Sequence, residues 1–211
     1  MNTGNHLQGT VEGKGCKMIL NAYLQSNIQA RGGLRFVHCP EIVDLYFGSD
    51  IENEMLNQKY KFVKQKRKQL FANGDFAGFV WYTERPYRLD AFLKVIDACK
   101  FNSKNIAELF LEIWADSELP CGHNFKIWRD LFSAFKDNRV LENTKKHLPE
   151  RFKVWRGGSP DGISWTLDEN IARKFSERKY RRTKMVQCRE ITRDEVICYL
   201  DGRGEKEIIL L

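Results

Sequence analysis

A chain of 211 residues with 42% hydrophobic and 12% aromatic residues holds enough apolar material for one good core or two small ones, which indicates a folded globular protein. With 30% charged residues and no apolar run near the roughly 18 residues of a membrane span, it reads as a soluble globular protein without a membrane partner. The net charge of +7 implies attraction to polyanions. Cys16, Cys39, Cys99, Cys121, Cys188 and Cys198 are scattered singly, with no Cys-x-x-Cys and no clustered histidine, so no zinc spacing exists and no metal is expected. These thiols read as reduced, in a cytoplasmic protein.

Residues 1–33 are rich in Gly and Asn and carry little period, which predicts a loose lead-in with at most one short helix over 18–25. Residues 1–6 lack the apolar core of a signal peptide, so nothing there points to export. Ser49 or Asp50 would cap a long helix that runs through Phe71 and stops at Asn73-Gly74. Within it Lys59, Lys61, Lys64, Lys66, Arg67 and Lys68 crowd one segment, and a solvated helix face is the expected reading. Phe76, Phe79, Val80, Trp81 and Tyr82 form an aromatic knot before Pro86, better suited to core packing than to stacking bases.

Leu89, Phe92, Leu93 and Ile96 predict a helix over 89–99. Ser103 would cap the next, whose Ile106, Leu109, Phe110, Ile113 and Trp114 follow helical spacing until Pro120-Cys121-Gly122. Phe125, Trp128, Leu131, Phe132 and Phe135 mark another amphipathic helix. His123 and His147 suit caps or surface better than ligation. Pro149-Glu150 joins a helix-rich region, 1–148, to a strand-rich one, 149–211. The second is small for an independent core and is expected to pack on the first.

The strand-rich part carries the chemistry. Phe152-Lys153-Val154-Trp155 has strand character, and Arg156 at its end runs into a turn containing Gly157-Gly158. Ser164 and Thr166 flank Trp165 and share a face by the period of two. Thr166-Leu167-Asp168-Glu169 has the form of a capping box opening a helix through Ile171, Ala172 and Phe175. The last run, Ile208 to Leu211, is apolar at every position and reads as a strand buried on both faces. Glu205 and Glu207 stand at its mouth and project the same way if the extended geometry reaches back to them. A carboxylate pair there is costly to desolvate unless a site uses it.

An arginine at a strand end, a Ser-x-Thr before a helix and a Glu-x-Glu before a last strand, in that order, resemble the arginine–serine–glutamate class of ADP-ribosyltransferases, the cholera-toxin-like branch. The resemblance covers residues 151–211. It implies an α+β fold in which the helix-rich part precedes a mainly antiparallel, β-sandwich-like transferase core. It also implies NAD as co-substrate, held by Arg156, Gly157, Ser164, Trp165 and Thr166. Among these, Arg156 would grip the phosphate side, where a guanidinium fork suits better than Lys. Ser164 would orient the catalytic carboxylate, Glu207, which offsets positive charge on the ribose as the nicotinamide bond breaks. Glu205 would face the acceptor. No Gly-x-Gly-x-x-Gly is present, and this class does not bind NAD through such a turn.

Arg173, Lys174, Arg178, Lys179, Arg181, Arg182 and Lys184 follow the Ser-x-Thr strand, and seven basic groups exceed what one pyrophosphate needs. Phosphate contacts to a polyanion would explain the excess, which favours RNA as acceptor over DNA or a protein arginine. The expectation is a mono-ADP-ribosyltransferase acting inside a cell as a toxin or phage-conflict effector, with a neutralising antitoxin if its own host is at risk. Protein-arginine transfer, NAD hydrolysis and non-catalytic nucleic-acid binding are the alternatives.

Overall fold

The computed structural model of the chain describes residues 17–99, 103–117, 125–177 and 185–211. The expected short early helix is α1 (Ala22–Ser26). The strands that follow it were not foreseen: β1 (Ile28–Arg31), β2 (Leu34–Cys39) and β3 (Ile42–Leu45) form an antiparallel sheet in that order. Arg31 pairs with Leu34, so the connection is Gly32-Gly33, and both glycines adopt positive φ (59° and 80°). A two-residue hairpin with the favoured twist requires this, which is why glycine occupies both positions. Leu20, Leu24, Val37, Cys39 and Ile42 are buried against Leu56 and Tyr60 of the long helix α2 (Asp50–Ala72).

Helix α2 starts and stops where its end signals predict. The Ser49 side chain accepts from the Glu52 amide at 3.2 Å, and the Glu52 carboxylate accepts from the Phe47 and Gly48 amides. At the other end Gly74 takes φ 73°. The aromatic knot is itself a helix, α3 (Phe76–Trp81), capped by Asp75. Helices α4 (Arg88–Ala98), α5 (Lys104–Asp116), α6 (Phe125–Phe135) and α7 (Arg139–Lys145) complete the helical layer, and Ser103 caps α5. Their stripes meet in a cluster that includes Phe92, Phe110, Trp128, Phe132 and Phe135. The predicted break at 120–122 lies outside the described residues.

The strands after residue 150 are β4 (Arg151–Gly157), β5 (Ser164–Thr166), β6 (Val186–Thr192), β7 (Cys198–Leu200) and β8 (Glu207–Ile209), with helix α8 (Glu169–Ser176) between β5 and β6. They join in one five-stranded antiparallel sheet, β6-β4-β5-β8-β7, rather than in two facing sheets. The architecture is α+β. Of the apolar C-terminal run, Ile208 and Ile209 lie on the inner strand β8 with both faces covered, whereas Leu210 and Leu211 follow the strand's end and Leu211 is exposed. Ile209, with Ile163 and Cys198, belongs to the helical core, whereas Ile208 packs on the other face with Val154, Trp165 and Ile191. A single apolar cluster therefore spans the helical layer and one sheet face.

Candidate active site

Strand register builds the site. Trp155 pairs with Thr166, Thr166 with Glu207, and Glu207 with Leu200, so one sheet face carries this row across four strands. Ser164 lies two residues from Thr166 and shares that face. Its hydroxyl donates to Glu207 Oε1 at 2.5 Å. The other carboxylate oxygen, Oε2, accepts from the indole Nε1–H of Trp114 on α5 at 3.2 Å. Glu207 is only 9% exposed. Burial raises its pKa above the ordinary 4.5, the Ser164 and Trp114 hydrogen bonds oppose that, the charge of Glu205 adds to it, and the charge of Arg203 opposes it. On the same face Cys198 is held well up, chiefly by burial and then by the Glu207 charge.

Glu205 does not share the strand with Glu207. Lys206 takes φ 46°, a left-handed conformation outside the strand, which begins only at Glu207. The period-of-two expectation therefore fails, because the backbone between the two carboxylates is not extended. Glu205 lies 3.5 Å from Arg203, with 29% of its side chain exposed. Its carbonyl is the part tied to the site, accepting from the Thr166 hydroxyl at 2.7 Å. Thr166 Oγ1 also accepts from the Asp168 amide at 3.0 Å. The cap of α8 is Asp168, whose side chain accepts from the Asn170 amide, so the capping function sits two residues later than the sequence form suggested.

Arg156 follows Trp155 on β4, so the pleat turns it to the opposite face from the Trp155–Thr166–Glu207 row. It reaches the site through the main chain. Nε donates to the Ser159 carbonyl at 2.7 Å and Nη1 donates to the Ser164 carbonyl. A Cβ at Gly162 would stand 1.7 Å from Nη2, so glycine is required for the guanidinium to lie in that turn. Arg156 thus fixes the residue that orients the carboxylate. Arg129 of α6 donates to the Asp161 carbonyl and ties the same turn to the helical layer.

Two of the expected NAD contacts are occupied with packing. Gly157 lies beneath α8, where an added Cβ would come 2.2 Å from the Ala172 carbonyl oxygen. Trp165 is turned to the opposite face, 6% exposed within the apolar cluster there, and donates to the Gly162 carbonyl at 3.0 Å. Arg178, Lys179, Arg181, Arg182 and Lys184 lie outside the described residues. Beside the row, an open cavity of about 540 Å³ is lined by Trp155, Glu169, Arg173, Ser176 and Cys188 among others. It lies roughly 10 Å from the Glu207 strand, two strand spacings along the sheet.

The residue that sequence reasoning missed is Trp114. Its place in the apolar stripe of α5 marked it as core, and its ring does pack edge-on against Trp128 and Phe132 at 5.0 and 5.1 Å. The available signal was chemical: a buried indole N–H demands an acceptor, and aliphatic neighbours supply none. Among the described residues no group of three or more His, Cys, Asp or Glu could hold a metal, and no helix is long and apolar enough to cross a membrane. Comparison of the chain with protein-family models, with curated proteins and with solved structures found no match to any of them.

Proposed function

We propose that the chain is a NAD-dependent mono-ADP-ribosyltransferase whose catalytic carboxylate is Glu207. One observation carries this reading: a carboxylate on an inner strand is held by Ser164 on one oxygen and Trp114 on the other, with no cation bonded to it in the described structure. A buried carboxylate in a purely structural role is expected to find a counter-charge. Here neutral donors orient it, and Arg203, itself paired with Glu205, acts on it only through space, so no bonded ion pair spends its charge, as a site that stabilises a developing cation needs.

The chemistry follows from that charge. The C–N bond between ribose and nicotinamide breaks, and the electron pair leaves with nicotinamide. The anomeric carbon becomes oxocarbenium-like, and Glu207 offsets it while accepting from the ribose 2′-hydroxyl. An ionised carboxylate offers about four lone-pair sites, so the bonds to Ser164 and Trp114 leave room for that contact. The acceptor nucleophile then bonds to the anomeric carbon and loses its proton. Arg156 acts in this scheme by holding the Ser164 carbonyl and the turn before it. The intended acceptor is RNA, on the basic composition around 173–184. Transfer to protein arginine is the second reading, favoured by Glu205, a carboxylate near enough for its charge to raise the Glu207 pKa. The setting fits a toxin or phage-defence effector with a neutralising partner.

Incubation with NAD labelled on the adenylate phosphate and total cell lysate tests this directly. The expected result is label in nuclease-sensitive material. Label in protein supports the arginine reading, and label only in free ADP-ribose makes the protein a NAD glycohydrolase. No NAD consumption overturns the enzyme assignment.

A further inference from the structure

The lysine-rich segment of α2 is largely solvated, as expected, but its cations are not equivalent. Arg67 turns inward to Glu41 at 2.5 Å, Lys59 lies 3.7 Å from Asp44, and Lys66 sits 6.0 Å from the Tyr82 ring centre. The remaining three, Lys61, Lys64 and Lys68, follow i, i+3, i+7 spacing and line one groove of about 640 Å³ beside the segment that leads into α1. No Asp or Glu lines that groove. Its wall is fixed rather than improvised. Asn57 accepts from the Asn21 amide at 2.7 Å and donates to the Ile19 carbonyl at 2.9 Å, clasping that segment to α2. Tyr60 stacks on Tyr23 with ring centres 5.3 Å apart and accepts from Lys64 Nζ at 2.9 Å. That bond holds one ammonium in place over the groove and pushes its pKa up.

We propose that this groove binds the phosphate backbone of an RNA strand. Charge complementarity favours the occupant: three cations without a lining acid span about 10 Å at 1.5 Å rise per residue. A nucleic-acid strand carries one phosphate on every nucleotide, so a row of lysines can neutralise successive phosphates along it. A bilayer is flat and takes apolar wedges, whereas this lining is concave and Ile19 is its one aliphatic side chain. Binding stands on the groove alone; only its role as the docking site for the acceptor rests on the transferase reading.

The test is fluorescence anisotropy of a labelled single-stranded RNA with the whole chain, without NAD, across a salt series. The triple variant Lys61→Gln, Lys64→Gln, Lys68→Gln keeps helix propensity, and its thermal melting checks the fold. Its log–log salt slope should fall by about 2 units, and its affinity at ~0.1 M salt on the order of 10-fold. The control Lys94→Gln, Lys104→Gln, Lys126→Gln removes the same charge from α4, α5 and α6 and should shift the slope far less. Equal loss in both variants, an unchanged triple variant, or no RNA binding by the parent would overturn the proposal. So would loss of binding to phosphatidylserine vesicles with RNA binding intact. Nicotinamide release from NAD, measured on the parent and on the groove variant, reads the transferase activity independently, so failure of the groove and failure of the transferase reading are separate outcomes.

Discussion

Glu41 and Glu207 are both withdrawn from water, and the two regions that hold them treat them differently. Beside the N-terminal sheet, Glu41 meets the Arg67 guanidinium at 2.5 Å, with side chains 11% and 10% exposed. In the C-terminal sheet, Glu207 meets a serine hydroxyl and an indole N–H, with no cation bonded to it in the described structure. The first arrangement spends the charge on a partner. The second orients the charge and keeps it available, at a cost in stability that a structural residue would have no reason to bear.

Breaking the N-terminal pair should have the largest effect on stability. Arg67→Met leaves Glu41 buried without its counter-charge, and loss of one partner of such a pair costs on the order of 3–5 kcal/mol. Urea unfolding should show this, and adding Glu41→Gln should recover most of it. A double variant no better than the single would mean that the contrast between the two sites is false.

The opposite sign is expected at Glu207. Burial raises its folded pKa above the ordinary 4.5, so folding favours the protonated form. Its contribution is fully present below that value and is lost as pH rises through the folded pKa. Glu207→Gln removes the buried charge while its amide can still accept from Trp114 and donate to the Ser164 hydroxyl. The variant should be the more stable protein at pH 8, with the gain fading towards pH 4. A variant less stable than the parent at every pH would give Glu207 a structural role.

Trp114→Phe sharpens the comparison by the smallest step. The ring still fills the space between Trp128 and Phe132, but the donor to Oε2 is gone. Losing a hydrogen bond to the charged form raises the pKa further, so the acid limb of kcat/KM should move up by less than about 1 pH unit, with the high-pH plateau nearly kept. An unmoved limb with a lower plateau would make Trp114 a packing residue only.

Only the Glu207 half of this contrast could be read in the sequence: Arg67 looked like one more cation of a solvated face, and its pairing with Glu41 is tertiary. Ser49, Ser103 and Asn73-Gly74 announced their helix ends because capping is local chemistry. The Ser164–Glu207 pairing was expected only from the family resemblance of the ordered motifs, since the period of two relates Ser164 to Thr166 and carries no information across strands. The three-stranded sheet went unread because its strands are short and largely exposed, leaving little apolar alternation, although Gly32-Gly33 is a hairpin signal. Glu205 was misplaced because one residue, Lys206, adopts a conformation that no pattern announces. Trp114 joins Glu207 across 93 positions, a distance that only tertiary packing closes.

The central claim is that the charge of Glu207, held by neutral donors and bonded to no cation in the described structure, is what cleaves NAD. The most direct measurement is nicotinamide release from NAD by the parent and by Glu207→Gln, at a temperature where both are folded by circular dichroism. The parent should release nicotinamide, and the variant should be slower by on the order of 100-fold or more, because a preorganised charge on the transition state is lost while shape is kept. A folded Glu207→Gln variant that cleaves NAD at the parent's rate would contradict the account.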